Sequence, residues 1–128
     1  EELKSFFLEY EITGFNGEIS YGQIDFSYNS NPQKIFINSP YPNPYNPSTK
    51  IEFGVPEKSN AFMEVHDING RLIHTNSMLN LEAGFYEFIW DGADQPSGIY
   101  FIRVKINNKV ENFRTMLIKW FLYILLNL

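Results

Sequence analysis

From Phe6 to Ile12 the chain alternates, with Phe6, Leu8, Tyr10 and Ile12 on one parity and Glu9 and Glu11 on the other. A period of two sends neighbouring side chains to opposite faces, so the stretch predicts a half-covered β-strand. Gly14-Phe15-Asn16-Gly17 reads as a turn, because Asn and Gly accept positive φ. A second run, apolar at Ile19 and Tyr21 and then at Ile24, Phe26 and Tyr28, completes a β-hairpin over residues 1–28. Its parity changes across Gly22-Gln23, which predicts a bulge there. A lone hairpin is marginal in water, so this one is expected to pack on the rest of the chain or to end an upstream cargo domain. Glu1-Glu2-Leu3-Lys4 offers neither an initiator Met nor a signal peptide, which reads as the cut end of something longer.

Residues 29–36 have linker composition, and the polar stretch Asn29 to Lys34 is a candidate cleavage region. Then come four prolines within eight residues, Pro40, Pro42, Pro44 and Pro47. Each lacks an N–H and fixes φ, so the segment is expected to run extended along a sheet edge with Tyr41 and Tyr45 free to pack downward. Pro-rich stretches also serve as ligands for aromatic grooves, but those lie in disordered tails rather than just before a strand. Thr49 to Val55 alternates, with Ile51, Phe53 and Val55 inward and Lys50 and Glu52 outward. Ala61–Ile68 and Arg71–Thr75 flank Asn69-Gly70, a strong hairpin signal. Asn76 to Ala83 reads as an irregular connection carrying Met78, Leu79 and Leu81. Gly84–Trp90 presents Tyr86, Phe88 and Trp90 on one face, and Asp91 to Gly98 is a turn cluster. Ile99–Ile106 sets Tyr100, Ile102, Val104 and Ile106 against Arg103 and Lys105, and a final strand runs from Lys109 to Lys119. No window of helical length shows an apolar period of 3.6. The prediction is an all-β fold, an antiparallel immunoglobulin-like β-sandwich of about seven strands over residues 37–119, preceded by the hairpin.

Composition narrows the function. The 128 residues are 44% hydrophobic and 17% aromatic, which excludes a disordered tail. Ten Lys and Arg against 15 Asp and Glu give a net charge of −5, a poor match to a nucleic-acid backbone binder. The absence of Cys removes disulfides, thiolate metal sites and cysteine nucleophiles. If Asn69 and Gly70 form a two-residue turn, Ile68 faces Arg71, His66 faces Ile73 and His74 faces Val65. The two imidazoles then point to opposite sides of the ribbon and cannot share a zinc ion. Asp91 and Asp94 are the candidates for calcium, at a spacing unlike an EF-hand. Asp67 is read as bracing the Asn69-Gly70 turn. No nucleophile elbow, phosphate loop or zinc-protease motif occurs. The expectation is therefore no enzyme, no metal and no cofactor. Phe62, Phe85 and Phe101 are candidates for an outward carbohydrate platform. Residues 120–128 form a hydrophobic tail, too short to cross a bilayer, and a candidate for contact with a membrane surface.

Four blocks carry a family resemblance: Tyr41-Pro42-Asn43-Pro44-Tyr45-Asn46-Pro47-Ser48-Thr49 with Ile51-Glu52-Phe53 and Pro56-Glu57; Asp67-Ile68-Asn69-Gly70-Arg71-Leu72-Ile73; Ala83-Gly84 through Trp90-Asp91-Gly92; and Pro96-Ser97-Gly98-Ile99-Tyr100-Phe101. In this order they resemble the type A C-terminal sorting domain of the type IX (Por) secretion system. A related immunoglobulin-like module of flagellar hook-capping proteins shares the Pro-rich opening. The resemblance implies a non-catalytic targeting module that engages an outer-membrane translocon and its processing peptidase. By this resemblance the exported cargo reaches the cell surface or the medium. It nominates Pro42, Asn43, Pro44, Asn46, Pro47, Asp67, Gly70, Arg71, Gly98, Tyr100 and Lys119 as the recognition motif. Gly70, Gly84 and Gly98 are also expected on turn geometry alone, as acceptors of positive φ. The family pattern is departed from in the short loop 91–98 and in the tail beyond Lys119. The alternative from another class is a structural or adhesive immunoglobulin-like domain of a cell-surface protein.

Overall fold

A computed structural model describes residues 3–119, and the hydrophobic tail 120–128 lies outside the described residues. The chain divides after Asn31 into two compact units. The first is a hairpin of β1 (Leu3–Thr13) and β2 (Ile19–Asn29). Its turn is the expected one: Gly17 N donates to Gly14 O at 2.9 Å, Gly14 N donates to Glu18 O at 2.7 Å, and Gly17 has φ 80°.

The expected bulge at Gly22-Gln23 is absent, because the pairing runs without a shift from Leu3–Asn29 to Thr13–Ile19. Tyr10 lies opposite Gly22, and a Cβ on Gly22 would sit 2.2 Å from the Tyr10 ring. The ring fills the space the missing side chain leaves. The change of parity is instead a change of face, so Ile19 and Tyr21 lie on the side of Glu9 and Glu11. The other side carries Phe6, Leu8, Tyr10, Ile12, Ile24 and Phe26, with Phe6 stacked on Phe26 at 5.3 Å.

The second unit is the sandwich. Its strands are β3 (Phe36–Ile37), β4 (Ser48–Val55), β5 (Ser59–His66), β6 (Leu72–Leu81), β7 (Gly84–Asp91), β8 (Gly98–Ile106) and β9 (Lys109–Leu117). They pair antiparallel into a three-stranded sheet, β3-β4-β7, and a four-stranded sheet, β6-β5-β8-β9. The seven-strand immunoglobulin-like sandwich is thus as expected. The fourth strand, β6, pairs with β5 rather than with β7, unlike the constant-type immunoglobulin order.

The alternation places the core as expected. Ile51, Phe53 and Val55 of β4 and Phe88 and Trp90 of β7 are buried against Ala61, Met63 and Val65 of β5 and Tyr100, Ile102, Val104 and Ile106 of β8. Large side chains in this layer each contribute about 1.5–3 kcal/mol by leaving water. Phe53 stacks with Phe88 at 5.1 Å and with Tyr86 at 5.8 Å.

Asn76 to Ala83 is not irregular, since β6 continues through it to Leu81. Met78 pairs with Ala61 and Asn76 with Met63. This is an edge strand, and the register shifts between Ser59 and Ala61 and between Val65 and His66 interrupt its period of two. Met78 and Leu81 therefore pack on the core at a spacing of three. Gly84 does not hold the positive φ expected of it, which falls on Asn80 at 56°, whose N–H donates to Asn60 Oδ1.

Candidate functional site

In an antiparallel sandwich the loops alternate between two poles. One pole holds the starts of β4, β6 and β8 and the ends of β5, β7 and β9. The register fixes this: Ser48 faces Asp91, His66 faces both Leu72 and Phe101, and Gly98 faces Leu117. All eleven residues nominated from the sequence belong to segments that open or close on this pole, although they span positions 42 to 119.

The Pro-rich segment crosses from one sheet to the other. Tyr41 exchanges two backbone hydrogen bonds with Lys50 of β4, at 2.9 and 3.0 Å, and Thr49 Oγ1 donates to Pro42 O at 2.7 Å. Three residues on, Tyr45 N donates to Met116 O and Ile118 N donates to Tyr45 O. This contact runs parallel to β9, along the edge that β8 leaves open. Asn43 completes it: its Nδ2 donates to Arg114 O at 3.2 Å and its Oδ1 accepts from Met116 N at 3.0 Å. The strap so formed covers the end of an edge strand whose backbone groups would otherwise invite another chain. The peptide bonds before Pro42, Pro44 and Pro47 are cis.

Tyr45 points down from the strap into the core, as expected, and is 2% exposed. Its ring meets Trp90 edge-on at 5.4 Å, and Trp90 in turn meets Tyr100 at 5.0 Å. The Tyr45 hydroxyl shares a hydrogen bond with Thr115 Oγ1 at 3.3 Å, and Thr115 Oγ1 donates to Tyr100 O. Burial pushes the Tyr45 phenol up to about 12, against the lowering effect of its Thr115 bond.

Tyr100 stands two residues into β8, and its hydroxyl donates to Pro96 O at 2.6 Å. A Tyr near the start of the sixth sandwich strand, bonded to backbone a few residues upstream, is the tyrosine corner of immunoglobulin-like folds. Tyr86, two residues into β7, repeats the device with Glu82 O at 2.7 Å. Desolvation raises the Tyr100 phenol, with a further upward push from the charge of Asp67.

Asp67 braces its turn with both oxygens. Oδ1 accepts from Asn69 N at 2.9 Å and from Arg71 N at 3.0 Å, and Oδ2 accepts from Arg71 Nε at 3.0 Å. The Arg71 backbone bond is the main reason its carboxyl lies below the ordinary aspartate value. The turn is not the expected two-residue one. Asp67 N donates to Arg71 O and Gly70 N to Asp67 O, leaving a three-residue loop with Gly70 at φ 77°. The Asp67 carboxylate selects this form, because it satisfies the N–H groups on both sides of the glycine. His66 consequently faces Leu72 rather than Ile73, while His74 faces Val65 as expected. No group of three His, Asp or Glu side chains among the described residues is placed to hold a metal ion. Asp91 Oδ1 accepts from Ala93 N within its own turn.

Lys119 closes the pole. Its Nζ donates to Ala93 O at 2.6 Å and its backbone N donates to Ser97 Oγ at 3.0 Å. Gly92 N donates to Pro47 O, tying the same loop to the strap. A Cβ on Gly92 would lie 2.9 Å from Leu117 Cδ2 and 3.4 Å from Pro47 O, so any larger residue there needs the Leu117 side chain to shift.

The motif residues are legible in the sequence, but the work of Asn43 and Lys119 within the fold is not. Neither bond has a local signal, since the partners lie 71 and 26 residues away in the chain. Among the nominated polar side chains, two stand mostly in solvent. The Arg71 side chain is 78% exposed, and Asn46, also exposed, has no hydrogen-bond partner among the described residues. Tyr41 is 73% and Ile68 68% exposed.

A family model described as the secretion system C-terminal sorting domain matches residues 39–119, a span that contains every nominated residue. No curated protein matches the chain.

Proposed function

The chain belongs to the family of secretion system C-terminal sorting domains, and from that premise we propose that the motif-bearing pole is the surface the secretion machinery reads. Membership makes this a sorting signal for type IX secretion, which carries its protein to the cell surface or the medium by way of the outer membrane. The family is a targeting family rather than a catalytic one. No helix among the described residues is long and apolar enough to cross a membrane.

The observation that carries the proposal is the convergence of all eleven nominated residues, from 42 to 119 in the chain, on segments that open or close on one pole. Most of the nominated polar side chains are consumed in holding the pole together, which leaves Arg71 and Asn46 as the outward ones, beside the exposed Tyr41 and Ile68. In this reading the module acts without catalysis, by presenting a rigid shape. The translocon grips the Arg71 turn and the strap, the hairpin of residues 1–28 ends the cargo, and the processing peptidase cuts within Asn29 to Lys34. The experiment is export of a fluorescent reporter carrying the whole chain at its C-terminus, in a host with a type IX system. Arg71→Gln should reduce export at least tenfold while leaving the melting temperature unchanged. Export of that variant at the wild-type level, or retention of the wild-type fusion, would overturn the proposal.

A further inference from the structure

We infer that the outer face of the four-stranded sheet binds an anionic polysaccharide, one bearing carboxylate or phosphate groups. This surface is separate in its chemistry from the motif pole, and the inference goes beyond the sorting role.

The face can be read off the register. Across the sheet, Ser77, Phe62, Lys105 and Val110 form one outward row. Thr75, Glu64, Arg103 and Asn112 form the next, followed by His66, Phe101 and Arg114. Rows lie about 6.7 Å apart along a strand and neighbouring strands about 4.8 Å apart. Arg103 therefore sits between Phe101 and Lys105 on one strand, with Arg114 beside Phe101. All three cations are exposed, and none enters an ion pair among the described residues. Even Glu64, directly opposite Arg103, makes none.

Charge distribution makes the face unusual for this chain. The protein as a whole carries −5. The β8 and β9 segment, Gly98 to Leu117, holds Arg103, Lys105, Lys109 and Arg114 against Glu111 alone. Glu111 pairs with the inward Val104, so it is not in the outward rows. A local positive field in an acidic protein selects an anionic partner and speeds its encounter. Guanidinium groups also match carboxylate and phosphate oxygens in a two-point geometry.

The aromatics choose among polyanions. Phe62 and Phe101 are 41% and 43% exposed and flank the cations. Phe85, the third ring expected in a platform, belongs to β7 in the other sheet and approaches Phe36 instead. Two rings standing on a flat strand surface offer apolar planes against which the C–H face of a pyranose ring can lie. A depression of about 330 Å³ lies between Phe62, Glu64, Arg103 and Lys105. A second of about 360 Å³, lined by Phe62, Glu64, Thr75 and Ser77 among others, continues it toward β6. The result is a shallow track with hydroxyl and amide groups beside the cations. Export to the cell surface or the medium places that track among envelope polysaccharides rather than nucleic acids.

The test is binding of the purified full chain to immobilised polygalacturonate, phosphorylated mannan, neutral dextran and double-stranded DNA, at several salt concentrations. Retention on polygalacturonate or phosphomannan, weakening with salt, and no retention on dextran are expected, and the preferred polymer identifies the anion. Arg103→Gln/Lys105→Gln/Arg114→Gln should lose affinity at least tenfold. Phe62→Ser/Phe101→Ser, with unchanged charge, should lose it about as much. Lys34→Gln/Lys58→Gln, which removes cations elsewhere, should bind as wild type. All variants change exposed side chains, and their melting curves confirm folding. No retention on either acidic glycan would overturn the inference. So would equal binding to DNA that the phenylalanine variant leaves unchanged, since that is a plain polyanion effect.

Discussion

Asn43→Ala separates a residue that holds the fold from one that is read by a partner. The substitution removes two hydrogen bonds, Nδ2 to Arg114 O at 3.2 Å and Met116 N to Oδ1 at 3.0 Å. A net hydrogen bond contributes about 1 ± 0.5 kcal/mol, and a buried group left unpaired costs more. Both bonds here are exposed, so water replaces the lost partner and the larger penalty does not apply. The expected loss is about 1–2 kcal/mol, or roughly 5–12 °C in melting temperature for a domain of about 100 residues. A matched control lies three residues along the strap. Asn46 has no hydrogen-bond partner among the described residues, so Asn46→Ala should change stability by less than about 0.5 kcal/mol. Urea unfolding followed by near-UV circular dichroism measures both. Domains of this size are stable by several kcal/mol, so Asn43→Ala stays almost wholly folded and its reporter should still be exported. If Asn43→Ala is as stable as wild type and abolishes export, the strap is not held by this side chain. The assignment of Asn43 to the fold then fails.

Tyr45 sets an alkaline limit. Its phenol titrates near 12 when folded against about 10 when unfolded. The raised value means that stability is fully present below about pH 10 and falls as the pH rises toward 12. The full shift corresponds to at most about 2.7 kcal/mol, and Tyr45→Phe should flatten that limb in urea titrations from pH 9 to 12. Tyr100→Phe removes the corner bond to Pro96 O and should cost about 1 kcal/mol, read as a lower urea midpoint at an unchanged slope. Gly70→Ala meets open space but a φ of 77°, so its cost is backbone strain alone, about 1 kcal/mol, and Gly70→Asn should cost less. Asp67 titrates low because its turn holds the carboxylate, so its contribution is present above the unfolded aspartate range and is lost as pH falls through the folded value; Asp67→Asn should make the acid limb of the stability profile shallower.

The parts legible in the sequence were those fixed by alternation on a covered face. Ile51, Phe53 and Val55, and likewise Tyr100 to Ile106, are inward because each lies on a strand with neighbours on one face and water on the other. Where that condition lapses, the pattern stops being informative. β6 has one neighbour and two register shifts, so Asn76 to Leu81 gave no clean period although it is a strand. In the hairpin the parity change at Gly22 has two physical solutions, a bulge or a change of face, and the choice was made by the Tyr10 ring over Gly22. The Asn69-Gly70 turn was located correctly, but its length was set by the Asp67 carboxylate. For the candidate site, the motif residues were visible and their convergence was not, because it depends on which strands run up and which run down.

That convergence bears on what a recurring motif means. Asn43 ties the strap to β9, Asp67 and Gly70 shape a turn, Tyr100 makes a corner, and Lys119 caps the Ala93 carbonyl. Each of these residues would be retained in any protein that had to keep this pole rigid, whatever read it. A recognition surface must in addition offer groups that are not already bonded. Among the charged motif side chains Arg71 meets that condition: its Nε reaches Asp67, while most of its guanidinium stands in water. Under the proposed function, rigidity and readout are divided between different residues of one block. Asp67 fixes the direction of Arg71, and Arg71 presents the charge. An Asp67→Asn variant therefore tests more than stability. With the carboxylate gone, Arg71 keeps its charge but loses its aim, so export should fall while the chain stays folded. The double variant Asp67→Asn/Arg71→Gln should then export no worse than Arg71→Gln alone. Additive losses in the double variant would show that Asp67 is itself contacted, and the division of labour would be wrong.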